Sequence, residues 1–260
     1  MRWLDVRPVP RVVLDDPPLT EVICQFRFPP VLRLQSDQQL LASIQDRLRG
    51  DYPSLDAQAV LSLRIPGGPA DAPLAAVGGP AWRFVDDTGN WLVSLAADFV
   101  ALSTTSYSHW DDFTRRLRPV IQTVVELVGI TSRRRLGLRY TNQIPIPQDA
   151  ASWGQVIAPE LVGWVAHLDP GVAVDSAVQE VRLRTDVCAV GFRHGPLPMT
   201  NDQSVRQYLL DTDCYLDEPT GVDIDDLIGS AGAFNDVANR FFFGALTADG
   251  LQKFKPRPKE

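Results

Sequence analysis

Residues 133–147, RRRLGLRYTNQIPIP, alternate apolar and polar side chains with a period of two. Leu136, Leu138 and Tyr140 fall on one side, Arg135, Gly137 and Arg139 on the other. Successive side chains of a strand point to opposite faces, so this segment reads as a β-strand with one face in a core and one polar face. Strands of that kind need an antiparallel sheet covered on one side. The Ile-Pro-Ile-Pro that follows ends the run.

The same signal recurs along the chain. EVICQFRF (21–28) sets Val22, Cys24, Phe26 and Phe28 against Glu21, Gln25 and Arg27. A helix capped by Ser36 or Asp37 follows, with Leu40, Leu41, Ile44 and Leu48 at helical spacing and Gly50 and Pro53 closing it. A strand is expected at Ala59–Ile65, and residues 66–80, rich in Gly, Pro and Ala, read as a mobile loop. AWRFVDD, a turn at Thr88-Gly89-Asn90 and a long or bulged strand from Trp91 to Tyr107 make a hairpin. The helix from Trp110 to Gly129 has an apolar stripe of Phe113, Leu117, Val120, Ile121, Val124, Val125 and Val128, and Pro119 predicts a kink or a late start.

A connector with a short helix around Trp153–Trp164 precedes three further strands, SAVQEVRLRTD, VCAVGFRHG and RQYLLDTDCYLD, and a C-terminal helix from Asp223. Strands followed by a long helix, twice, form a weak repeat. The expected fold is α+β: antiparallel sheets with long helices on one face, in a helix-grip-like arrangement of two halves. The halves are 1–147 and 176–260, joined by a connector at 148–175, with one compact domain as the alternative.

Composition limits the function classes. With 45% hydrophobic and 22% charged residues the chain can bury a core. A net charge of -7 argues against broad nucleic-acid binding, which draws on neutralised phosphates. Lysine occurs only at 253, 255 and 259, within a tail, KFKPRPKE, that reads as a frayed, solubilising end. Three scattered cysteines, Cys24, Cys188 and Cys214, suit a reducing compartment, and no segment reaches membrane-span length, so a cytoplasmic protein is expected.

The segments PPLTEVICQFRF, WRFVDDTGNWLVSLAADFVALSTTSYSHWDDF, RLGLRYTNQIPI and FNDVANRFFFGALT together resemble an uncharacterised, sporadically distributed family of bacterial and archaeal proteins of about this length. The likeness spans nearly the whole chain. It implies an accessory, antitoxin or defence-type role and carries over no catalytic or binding residues.

The chemical motifs are sparse. His109, His167 and His194 have no ligand-spaced partners, so no metal or cofactor is expected. No nucleophile elbow, phosphate loop or dinucleotide fingerprint occurs, no catalytic residue is assigned, and the reading leans away from an enzyme. What stands out is charge alternation. Arg135 and Arg139, Arg182 and Arg184, and Asp211 and Asp213 each share a strand face. These arginines and aspartates could line a cavity or pair across a solvated sheet face, and Arg139 is expected to pair with an acid on a neighbouring strand. Trp153 and Trp164 are candidate hydrophobic anchors for a partner.

The leading expectation is a non-enzymatic interaction module that recognises a protein partner or self-associates, away from membranes and nucleic acid. A helix-grip-like small-molecule binder is the alternative. A metal-dependent phosphohydrolase working through the Arg/Asp strand faces comes third.

Overall fold

The structure, a computed structural model, describes residues 12–59, 81–169, 172–199 and 205–258. β1 (Val12–Leu14) and β2 (Leu19–Arg27) lead into α1 (Arg33–Ser36), α2 (Gln38–Leu48) and β3 (Ser54–Ala59). β4 (Ala81–Val85), β5 (Trp91–Ala96) and β6 (Phe99–Thr104) form a meander before α3 (Trp110–Val128), β7 (Ser132–Arg133) and β8 (Arg135–Ile146). A 3₁₀ turn (Ala150–Gln155), α4 (Pro159–Val162) and a second 3₁₀ turn (Gly163–His167) make up the connector. β9 (Gln179–Arg184), β10 (Ala189–Pro196), β11 (Arg206–Leu216) and β12 (Thr220–Gly221) are followed by α5 (Ile224–Ala245), α6 (Ala248–Gln252) and β13 (Pro256–Pro258).

The fold is α+β, as expected. Among the described residues nine strands form one sheet in the order β3-β4-β5-β6-β2-β8-β11-β10-β9, while β1 pairs with β13 and β7 with β12. That order does not establish the strands-then-helix repeat. Two compact units are interleaved along the sequence. One comprises Met1–Thr20, Tyr140–Asp213 and Asp236–Glu260, the other Glu21–Arg139 and Cys214–Asn235.

In the second of these units, register fixes the faces. Trp82 pairs with Leu95, Leu95 with Val100 and Val100 with Phe26, so Val22, Cys24 and Phe26 share a face with Trp82, Phe84, Trp91 and Val93. Helices cover this face: the Trp82 indole donates to the Leu34 carbonyl of α1 at 3.1 Å, and Trp91 packs against Phe113 of α3 at 5.8 Å. Asp37 caps α2 by accepting from the Leu40 amide at 3.0 Å. His109 Nδ1 caps α3 by accepting from the Asp112 amide at 3.0 Å, and the left-handed Gly129 closes it. α3 runs unbroken through the exposed Pro119.

The opposite face is buried too. Ile23, Ala81, Ala96, Phe99 and Ala101 form a small apolar cluster there, so the sheet is not the one-sided layer that alternation alone suggests.

In the other unit, Phe192 of β10 packs against Phe241 of α5 at 5.1 Å. The connector is held to the end of α5, with the Ala158 amide donating to the Ala245 carbonyl at 2.8 Å and Ile157 bridging Leu246. Of the three adjacent phenylalanines only Phe241 is fully buried; Phe242 and Phe243 meet edge to face.

Three expectations change. The strand from Trp91 folds back at Ala97–Asp98 into β5 and β6, where Asp98 pairs with Arg27. A strand is present at Ser54–Ala59, and the rest of the segment expected at 59–65, like the loop at 66–80, lies outside the described residues. Residues 256–258 of the tail are not frayed: they pair with Val12–Leu14, and Lys255 and Arg257 form ion pairs with Asp16 and Asp15. Among the described residues no helix is long and apolar enough to cross a membrane.

Two glycines should respond oppositely to alanine. Gly229 is exposed in α5 with open space around it, so Gly229→Ala should raise stability by about 0.5–1 kcal/mol through a better helix former. At Gly250 of α6 a Cβ would overlap the Val156 carbonyl, a backbone group that cannot swing away. Gly250→Ala should cost roughly 2–3 kcal/mol, and denaturant titration of the two variants reads both.

Candidate functional site

Register aligns a row of polar residues, interrupted by Ala101, across the second unit, on the face away from α1 and α3. Asp56 pairs with Arg83, Arg83 with Ser94, Ser94 with Ala101 and Ala101 with Gln25. The Gln25 side-chain Oε1 accepts from the Arg135 guanidinium at 3.4 Å, and that guanidinium lies 4.7 Å from the centroid of the Tyr215 ring. Gly137 makes this possible, because a Cβ there would overlap the Arg135 guanidinium. Arg135 therefore spans three strands by a hydrogen bond and a cation–π contact. Arg139 is half-buried on the same face of β8. On the core side Leu136, Leu138 and Tyr140 are buried, as the alternation predicts.

In the other unit, Arg193 lies opposite Glu180 and reaches Asp211 at 3.4 Å. Asp211 is buried. Arg182, opposite Gly191, bonds Glu180 of its own strand at 3.0 Å, in solvent. Arg184 is exposed, and Asp213 is half-buried beside Gly191. The structure thus brings Arg182, Asp211 and Asp213 to one face of β9–β10–β11 through Arg193 and Glu180, which sequence reasoning did not single out. The signal was available: both continue the same period-two alternation.

His194 lies on β10, buried, stacked on Phe192 at 5.1 Å. Its Nδ1 is 3.0 Å from the Tyr208 hydroxyl, which donates to the Leu161 carbonyl at 3.3 Å. With the phenol hydrogen directed at that carbonyl, Nδ1 carries the hydrogen that Oη accepts. Burial holds the imidazole neutral, lowering its pKa to about 4, and raises that of Tyr208. This pair was not legible in the sequence, because its partners are brought together only by strand pairing and α4.

The Leu161 carbonyl anchors a pedestal. Val162 and Val165 are buried, while Trp164 between them is 68% exposed. Gly163 joins α4 to the 3₁₀ turn with φ 59° and ψ -140°, a conformation open to glycine. The indole therefore projects from a segment fixed on both sides. Trp153 is different: it is 1% exposed and donates to the Pro147 carbonyl at 2.9 Å, with the Arg206 guanidinium 5.8 Å from its ring. It belongs to the core of its own unit and offers no surface to a partner.

The cysteines are buried, and burial pushes the Cys24 thiol up to about 12, partly offset by Arg135. Such a thiol stays protonated and unreactive. Among the described residues no group of three or more His, Cys, Asp or Glu side chains converges where it could hold a metal ion. Comparison with protein-family models and with curated proteins returns no match.

Two outcomes follow. The pKa of His194 is lower in the folded than in the unfolded chain, so below pH 6.5 the unfolded state takes up a proton that the native state refuses. Stability should fall by up to ~3 kcal/mol between pH 6.5 and pH 4, and His194→Phe should flatten that part of the urea-midpoint profile. Asp211→Ala, which leaves Arg193 without its buried partner, should cost about 3 kcal/mol, whereas Arg182→Ala in the exposed pair should cost under ~0.5 kcal/mol in the same assay.

Proposed function

We propose that this chain is a non-enzymatic interaction module that recognises a protein partner through Trp164. The observation that carries this reading is the exposure of a full indole on a pinned turn, between two buried valines. A large aromatic surface left in water is unfavourable, and covering a rigid one on binding sacrifices little conformational freedom. Tryptophan is accordingly among the residues that dominate interface energetics.

Binding is favoured over chemistry by how the strand-face charges are used. Arg193 engages Asp211, Arg27 engages Asp98, and Arg135 lies between Gln25 and Tyr215. These groups serve each other before any ligand. The resemblance to a sporadically distributed family adds an accessory, antitoxin or defence-type setting to the reading.

The test is quantitative capture from the native host with the wild-type chain and Trp164→Ala, followed by calorimetry with the captured protein once purified. The variant should keep its thermal midpoint and bind at least ~10-fold more weakly. Equal binding by the two chains would remove Trp164 from the interface and the reading with it.

A further inference from the structure

β9 closes one end of the nine-stranded sheet. Glu180, Arg182, Arg184 and Val181 are exposed, Val181 at 39%, and among the described residues no strand pairs with the free edge of β9. An open edge presents unpaired backbone amides and carbonyls, and a second strand can satisfy them.

The hairpin to β10 shows which groups point outward. Thr185 and Cys188 flank its two-residue turn, with the Thr185 amide donating to the Cys188 carbonyl at 2.9 Å. Hydrogen-bonded and non-hydrogen-bonded pairs alternate along an antiparallel ladder. Leu183–Val190 and Val181–Phe192 are therefore bonded pairs, and Glu180, Arg182 and Arg184 turn their backbone groups away from β10.

Those outward residues decide what can dock. Charged side chains commonly guard an edge, but here Glu180 carries the opposite sign to Arg182 and Arg184, so a second copy can pair with them. Two copies related by a two-fold axis must pair outward residues with outward residues. An axis at Val181 sets Glu180 against Arg182 of the second copy, twice, with no like charges opposed. An axis at Arg182 opposes that arginine to itself between two Glu180–Arg184 pairs, and one at Leu183 opposes Arg182 to Arg184 twice, so only the axis at Val181 combines opposite-charge pairs with no like-charge pair. Like charges directly opposed across strands are destabilising.

We infer that β9 is a self-association edge, pairing antiparallel with β9 of a second copy about an axis at Val181. The pairing forms about four backbone hydrogen bonds, from Glu180 and Arg182 of each copy. The Arg182–Glu180 ion pair within each strand, 3.0 Å, exchanges for two between strands. The Val181 side chains meet on the face that carries Phe192. A contact between two six-residue strands is small, so the dimer is weak and salt-sensitive, with a Kd roughly micromolar or higher. This edge is independent of Trp164.

Sedimentation velocity of the full chain over roughly 5–500 µM tests the inference. The wild type should dimerise reversibly, and Glu180→Arg and Arg182→Glu should each weaken the dimer at least ~10-fold. Mixed one to one, the two variants regain complementary edges and should associate as the wild type does. Val181→Cys should form a disulfide dimer under mild oxidation, because residues opposed at a non-bonded position lie within bridging distance, while Arg182→Cys should not. A wild type monomeric throughout, a dimer indifferent to both charge reversals, or a mixture that fails to recover would overturn the inference. Preferential crosslinking through Arg182→Cys would overturn the axis at Val181.

Discussion

Period-two side-chain alternation is the constraint on which the sheet depends. Val22, Cys24 and Phe26 can face α1 and α3 only because β2 pairs with β6 in one register, which also places Leu102 and Val100 on that face. A slip of one residue would turn Gln25 and Arg27 toward α1 and α3 and move three apolar groups away from the helices to the opposite face. The helices then have one place to dock, and Trp82, Trp91 and Phe113 close over it. The register is therefore held twice, by the ladder and by the apolar face that the ladder creates.

The second face shows why charge alternation does not by itself mean a solvated surface. Arg135 lies flat because Gly137 leaves room and Tyr215 supplies a ring, and Arg27 reaches the turn that separates β5 from β6. Asp211 tolerates burial through Arg193 and its other contacts. Each is a charge withdrawn from water and compensated locally, the condition under which an ionised group can stay inside a protein. Such pairs specify which strand lies beside which more than they add net stability.

Much of this architecture was legible from the sequence where structure is local. Alternation located β2, β8, β10 and β11, and helical spacing with Asp37 and Gly129 located α2 and α3. The turn at Ala97–Asp98 was not, since AAD carries no glycine or proline and its fold-back is fixed by Arg27, 71 residues away. The candidate site was less legible still. Arg182, Asp211 and Asp213 were visible as charges, but the arginine and glutamate that connect them come from pairing of β9 with β10. Trp164 differs from Trp153 only in the neighbours each acquires, and no sequence pattern separates an indole on a pedestal from one in a core.

The pairing of β1 with β13 has a consequence for how the chain is made. Asp15 and Arg257, its flanking ion pair, are 242 residues apart, and the unit they belong to also draws on residues 140–213. Contacts of such long sequence separation form slowly, because the intervening chain must be ordered before they are rewarded. As the polypeptide leaves the ribosome, Val12–Leu14 emerge before the residues that separate them from Pro256–Pro258 and can pair only once those have been made. Through that interval a short apolar strand is without its partner, flanked by Asp15, Asp16, Pro17 and Pro18, residue types that disfavour strand pairing.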